Sequence, residues 1–416
     1  MDPITAVTIV IGLTAILSWI SLRWLKTTAI GVPALSAIVA LALISGGSLL
    51  SGIRQWCANL MTALDAPDLF LDVMVPLLLF TSSMCFGFHL RERSQIASAG
   101  TAIFRWLLTT FAVAGVVKYI SQGAAAWSEC VLFGSLISAT DPIGQVRLSS
   151  RSSAPERANR GLITESLINS TLAASLCIVI LRFTESGLPV VPKIVFLAIV
   201  QAGVGVILGI AAGWAGARAT DRLEDHRTTV LVVGVLLFMA FLTSRYFGLA
   251  GPIEALASGL AFRLFAHDRL HGEVQEIPTD FWNAIADIEN SVLFVLLGLW
   301  ITANGINMNA IAIGSAAVLV ILLVRFASTR DALLRLVRKA FSNRPSALFG
   351  VLGSYKGGIP IALAFAIPYP GKRSWILGAT FIVALFSTIV HGGMIGWISH
   401  FGSSNADHPH LVRNRG

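Results

Sequence analysis

Charge is what this chain has least of. Asp, Glu, Lys and Arg make up 12% of its 416 residues, about half the share of an ordinary soluble domain. So little charge cannot cover a water-facing surface, and with 55% hydrophobic residues the composition reads as a polytopic membrane protein. Cysteine is rarer still. Cys57, Cys85, Cys130 and Cys177 lie in or near apolar segments without metal-type spacing, so neither a disulfide nor a metal centre is expected. The chain has no nucleophile paired with a base, no metal cluster and no phosphate-cradling loop, which argues against an enzyme and a cofactor. Acidic residues fall short of basic ones by 22 to 30, and the surplus fits cytoplasmic loops better than a nucleic-acid partner. A cleavable leader is also missing. The first apolar segment, about 4–22, follows Asp2 and Pro3 rather than a basic region, and reads as a retained helix.

At about 20 apolar residues per crossing, thirteen spans are expected, starting near 4, 27, 68, 97, 124, 160, 190, 227, 250, 279, 308, 346 and 374. The stretch 50–64 carries Arg54, Gln55 and Asn59 and reads as an interfacial helix. An outside N-terminus places 20 of the 30 basic residues in cytoplasmic loops and the tail, 7 in outer loops and 3 within spans. The positive-inside bias supports that orientation, with the C-terminus cytoplasmic in a cell membrane.

Two stretches break the apolar pattern: Ser138-Ala-Thr-Asp141-Pro142-Ile-Gly144 and Gly353-Ser-Tyr-Lys356-Gly357-Gly358-Ile-Pro360. A helix interrupted at membrane depth frees backbone groups, which is tolerated only inside protein or beside a watery cavity. Paired interruptions in two halves of a chain point to a transport site. Thirteen spans fit two six-helix repeats of opposite orientation, about 4–182 and 227–398, joined by a linker helix at about 190–215, with a cytoplasmic tail at 399–416. The broken fifth and twelfth helices then cross near the bilayer midplane in a single transporter domain covering 1–416.

An ionisable side chain at that depth costs about 2.5–3.5 kcal/mol on insertion scales, so each one is a functional candidate. Asp141 sits at the first break. Glu165 and Asn169 share one face of the sixth span, with Ser166 and Ser170 a step round. Lys356 needs a buried anion, and Glu165 or Asp141 is the expected partner. Asp287 and Glu289 are further candidate buried acids, although a late helix start would put them at the cytoplasmic interface, the reading preferred here. Glu254 and Glu129 are expected at water level, and Arg325 is expected to snorkel.

Met74-Val-Pro76-Leu-Leu-Leu-Phe80, Ala139-Thr-Asp-Pro142, Glu165-Ser-Leu-Ile-Asn169 and Asn290-Ser-Val-Leu-Phe-Val-Leu-Leu-Gly298 follow one another in the order of the monovalent cation:proton antiporter family, which the chain resembles from about 68 to 395. Its bacterial sodium/proton branch is the nearest likeness. The resemblance implies thirteen helices, inverted repeats, a homodimer, and exchange of Na⁺, Li⁺ or K⁺ for H⁺. It retains Thr140, Asp141, Glu165, Ser166 and Asn169. It fails at Ser170, where the sodium-exchanging branch carries the aspartate that binds cation and proton in turn, and at Thr81, where a second family carboxylate falls. Lys356 stands in place of an arginine, keeping the charge and losing the planar fork.

A hydroxyl neither titrates near neutral pH nor holds negative charge. The expectation is therefore a secondary transporter exchanging Na⁺ or K⁺ for protons, with Asp141 carrying the exchange. Thr140, Ser166, Asn169, Ser170 and Thr81 would supply neutral oxygens, while Glu165 and Lys356 brace the crossing helices and Pro142, Gly357, Gly358 and Pro360 make the breaks. Two alternatives stand beside it: a transport-inactive relative with a regulatory role, and a proton-coupled carrier of another small ion in which Lys356 titrates.

Overall fold

The computed structural model describes residues 1–25, 28–46, 50–86, 93–145, 156–186, 191–220, 226–247, 251–267, 279–339, 355–368 and 370–404. They form an all-helical membrane protein of fourteen helices, with no strand among the described residues. Eight of these helices are long and apolar enough to cross a membrane. In chain order the helices are α1 (Pro3–Leu25), α2 (Thr28–Ser45), α3 (Ser51–Ala63), α4 (Pro67–Cys85), α5 (Arg93–Ile120), α6 (Trp127–Ser138) and α7 (Glu156–Ser186). There follow α8 (Val191–Thr220), α9 (His226–Phe247), α10 (Gly251–His267), α11 (Thr279–Asn304), α12 (Met308–Lys339), α13 (Gly358–Phe365) and α14 (Pro370–Ser404). Twelve of the thirteen expected starts have a helix beginning within about four residues; the one near 346 lies outside the described residues. The amphipathic α3 is the extra helix, burying Cys57 and Leu60.

Local sequence explains the departures from plain helix. In α4, Pro76 lacks the N–H that would bond Asp72 O, and its ring crowds that carbonyl. The helix answers with a π turn over Phe70–Met74, in which Val75 N–H reaches back to Phe70 O. Helices α8 and α10 pack backbone to backbone through Gly209 and Gly213. A Cβ on Gly213 would lie 2.6 Å from Phe262 N and 2.7 Å from Ala261 Cβ, the close approach that small residues permit between membrane helices. Large apolar side chains on α1, α5, α8 and α9, among them Trp19, Phe104, Ile207 and Phe238, face outward, as a lipid-facing surface requires. The main core gathers inner faces of α4, α5, α6, α7, α11, α13 and α14, with Phe133, Leu136, Leu293 and Ile361 fully enclosed. That core holds both broken segments.

Candidate ion site at the crossing of two broken helices

Helix α6 stops at Ser138 because Asp141 precedes a proline, which disfavours helical backbone at the residue before it. Ala139 turns out of the helix (φ −56°, ψ 146°), and helical backbone resumes at 142–145. The second break covers 355–357 and ends where α13 begins at Gly358. The breaks bond to each other: Asp141 N donates to Tyr355 O at 2.9 Å. Their approach is set by glycine, since a Cβ on Gly357 would lie 2.6 Å from Asp141 Cβ and 2.7 Å from its Cγ. Pro360 falls in the first turn of α13, where a missing N–H costs nothing. Pro142, Gly357, Gly358 and Pro360 therefore stand where two unwound stretches cross.

Lys356 lies in this crossing, 4% exposed, and donates to Ser138 O at 3.2 Å and Ala139 O at 2.9 Å. Its ammonium thus closes the carbonyl end of α6, where the helix dipole places about half a negative charge. Its backbone N–H is held by Ser387 Oγ of α14 at 2.8 Å. The Asp141 carboxylate is 2% exposed, with Oδ1 accepting from Ile143 N at 3.0 Å and Oδ2 from Asn290 Nδ2 at 3.1 Å. Asn290 Oδ1 in turn accepts from Gly358 N at 2.7 Å. One amide on α11 therefore ties the acid of the first break to the amino end of α13. Sequence reasoning passed over Asn290 as a site residue, although it opens the fourth motif, one place after a buried glutamate.

The other wall is α7. Ser166 Oγ donates to Thr140 Oγ1 at 2.8 Å, and Thr140 N donates to Ser170 Oγ at 3.3 Å. Ser170 Oγ also donates to Thr140 O. Both backbone groups of Thr140, which have no helical partner, are satisfied by one serine. Asn169 is 5% exposed, and its Oδ1 has no hydrogen-bond partner among the described residues. Thr81 is fully buried on α4, its hydroxyl donating to Leu78 O at 3.1 Å within its own helix. Direct bonds thus join Thr140 to Ser166 and Ser170, and Asp141 to Tyr355 and Asn290, whereas Thr81 is bonded elsewhere.

Four expectations about charge need correction. Lys356 bonds carbonyls rather than a carboxylate. Glu165 is instead held by two arginines, Arg105 at 2.7 Å and Arg325 at 3.3 Å. Arg325 does not snorkel: it is 6% exposed, because an opposite charge inside the bundle removes the reason to reach for water. Glu254, expected at water level, is 2% exposed on α10, where the close α8–α10 packing covers it. Glu289, expected at the interface, is 5% exposed because α11 starts at Thr279 and carries it inward, while its neighbour Asp287 is half-buried. Glu129, expected at water level, is half-buried and lines a cavity of about 420 Å³ with Ser121, Asn307 and Trp375 at the far ends of α5 and α12.

The family model for the transmembrane sodium/hydrogen exchanger matches residues 12–400. The chain belongs to the sodium/hydrogen exchanger family. It is 26% identical over 408 residues to the Na⁺/H⁺ antiporter NhaP of Pseudomonas aeruginosa, covering 93% of this chain and 94% of that one. The Na⁺/H⁺ antiporter NhaH of Halobacillus dabanensis is 24% identical over 77% of this chain and 80% of its own. Among solved structures, the sodium proton antiporter MjNhaP1 of Methanocaldococcus jannaschii superposes with a TM-score of 0.70 at 15% identity, covering 96% and 99% of the two chains. Family and fold together make this a multi-pass membrane protein with the architecture of that antiporter. The likeness anticipated from the four motifs holds over nearly the whole chain.

Proposed function

We propose that the chain is a secondary transporter that exchanges Na⁺ for H⁺ across the cell membrane, with Asp141 as the group for which cation and proton compete. The observation that carries this is a buried carboxylate at the crossing of two unwound stretches. Its charge is supported on one side by Asn290, which also bonds the amino end of α13, while the adjoining Thr140 is fastened to Ser166 of α7, the helix on which Asn169 Oδ1 is buried without a partner among the described residues. Antiport needs one group that either ion occupies and neither leaves empty. A carboxylate with neutral oxygen neighbours suits a small hard cation. Lys356 spends two of its three donors on carbonyls, which favours this reading over an anion carrier.

Two inverted six-helix repeats and a homodimer, as the resemblance implies, and a cytoplasmic C-terminus, as the bias of basic residues suggests, belong to the same proposal. Proteoliposomes containing a pH-sensitive dye test the reading with Na⁺, Li⁺ and K⁺ pulses. The wild type is expected to dissipate a preset pH gradient with Na⁺ and Li⁺, and Asp141→Asn is expected to abolish this. Equal rates in the two proteins would move the exchange to another group, and a silent wild type would leave the regulatory alternative standing.

A further inference from the structure

Glu289 is the buried acid that the proposed exchange leaves unused. It is 5% exposed, and neither carboxylate oxygen has a hydrogen-bond partner among the described residues. An ionised carboxylate without partners inside a bundle costs several kcal/mol, and even a neutral one forfeits hydrogen bonds that water would give it. Glutamine or leucine would fill the same space at lower cost, so packing does not explain the residue.

Its place in the fold supplies a reason. The buried stripe of α11 runs Trp282, Ala286, Glu289, Leu293, Leu297, at helical spacing. Trp282 meets Phe80 of α4 edge-on at 5.3 Å, while Leu293 packs against Gly358, where an added Cβ would lie 2.8 Å from Leu293 Cδ1. Glu289 sits between those two contacts, one helical turn from the start of α13 and next to Asn290, which bonds Asp141. The elements packed on α11 bring little else that is charged. Helix α2 and residues 75–85 of α4 hold no Asp, Glu, Lys or Arg. Arg54 of α3 is committed to Ile44 O, Arg373 of α14 pairs with Asp65, Arg23 of α1 is exposed, and the second break brings Lys356.

We infer that Glu289 is a second ion-binding carboxylate of the transport site, facing Asp141 across the entrance to α13. The charges around the crossing agree with this. Lys356 is held by the carbonyls of Ser138 and Ala139, and no cationic side chain among the described residues is bonded to Glu289. Glu165 is held by two arginines, which leaves Asp141 and Glu289 as the acids open to a cation. A cation drawn to both displaces protons from both, so its affinity depends on pH more steeply than one group allows. The inference deepens the exchange proposed above and rests on it for the nature of the ion, but its test does not need transport.

That test is Na⁺ binding by the purified full-length protein, read from the Na⁺-dependent rise in unfolding temperature between about pH 6 and pH 9. For the wild type, the logarithm of the apparent Na⁺ dissociation constant is expected to fall with pH at a slope exceeding one over part of that range. Glu289→Gln is expected to bind about tenfold more weakly, with a slope no greater than one, and Glu289→Asp to keep the steeper slope. A wild-type slope that never exceeds one overturns the inference, even where the glutamine variant does not fold. So does a Glu289→Gln protein with wild-type affinity and slope. A wild type that shows the steep slope yet exchanges nothing in proteoliposomes overturns the proposed antiport and leaves the second carboxylate in place; the reverse pattern does the opposite.

Discussion

Gly357→Ala is the smallest change that reaches the site, because it adds one methyl group where the two breaks touch. The new carbon would lie 2.6 Å from Asp141 Cβ and 2.7 Å from Cγ, about 1 Å inside an ordinary carbon–carbon contact. Gly357 has φ −99°, outside the left-handed region that favours glycine. The clash must be relieved by parting the two unwound stretches or by turning the carboxylate. Parting them strains the Asp141 N to Tyr355 O bond and costs about 1–3 kcal/mol of stability, as overpacking does. Turning the carboxylate pulls Oδ2 from Asn290, and losing about 1.4–2.8 kcal/mol of binding lowers Na⁺ affinity roughly tenfold to a hundredfold. Exchange rates at a series of Na⁺ concentrations, beside a melting curve, separate these outcomes. The control is Gly115→Ala on α5, where an added Cβ meets nothing within 4 Å, and where helix propensity favours alanine by up to about 1 kcal/mol. A Gly357→Ala protein with the Na⁺ affinity and melting temperature of the wild type refutes the claim that contact between the breaks positions Asp141.

Two further substitutions test the buried charges. Lys356→Met leaves Ser138 O and Ala139 O without their donor, and at about 1–3 kcal/mol for each unsatisfied group a loss of roughly 2–4 kcal/mol is expected on unfolding. Lys356→Arg keeps much of that stability, and a methionine variant as stable as the wild type removes the capping role. Glu165→Gln strands Arg105 and Arg325 side by side, for an expected loss of about 3–5 kcal/mol that Glu165→Gln/Arg325→Met partly restores. Failure of the double variant to recover shows that Glu165 stabilises the bundle through some other contact.

The sequence made the helices legible because each crossing needs about 20 apolar residues, and a run of that length can be counted without knowing its neighbours. The breaks were legible for a related reason. Asp141-Pro142 and Gly357-Gly358 are local breakers; among the described residues α6 ends at Ser138 just before the first, and α13 begins at Gly358 in the second. Pairing was harder to read. Lys356 was matched to a carboxylate on the rule that a buried charge needs a counter-charge, yet the carbonyl end of a broken helix serves it instead. The partners of Glu165, Arg105 and Arg325, lie 60 and 160 residues away on other helices. Sequence periodicity reports which face a residue occupies but not which helix that face meets. Glu289 lies deeper than the interface because α11 begins at Thr279, where the apolar run also begins, and ten residues of helix carry the acid inward.

Ser170 bears most on the mechanism, since the family resemblance leads one to expect a carboxylate there. In this chain the serine hydroxyl does two things at once, donating to Thr140 O and accepting from Thr140 N. A carboxylate only accepts. It would hold the Thr140 N–H but turn negative charge toward the Thr140 carbonyl, and a cation between the two oxygens would be needed to relieve the repulsion. Serine closes the same gap directly, so the unwound stretch is fastened to α7 whether or not an ion is bound. With Ser170 bonded in this way, the attraction left for a cation lies where negative charge persists: at Asp141 and, on the inference drawn above, at Glu289 on the opposite wall. On the exchange proposed above, serine in place of aspartate puts the ion's place nearer α11.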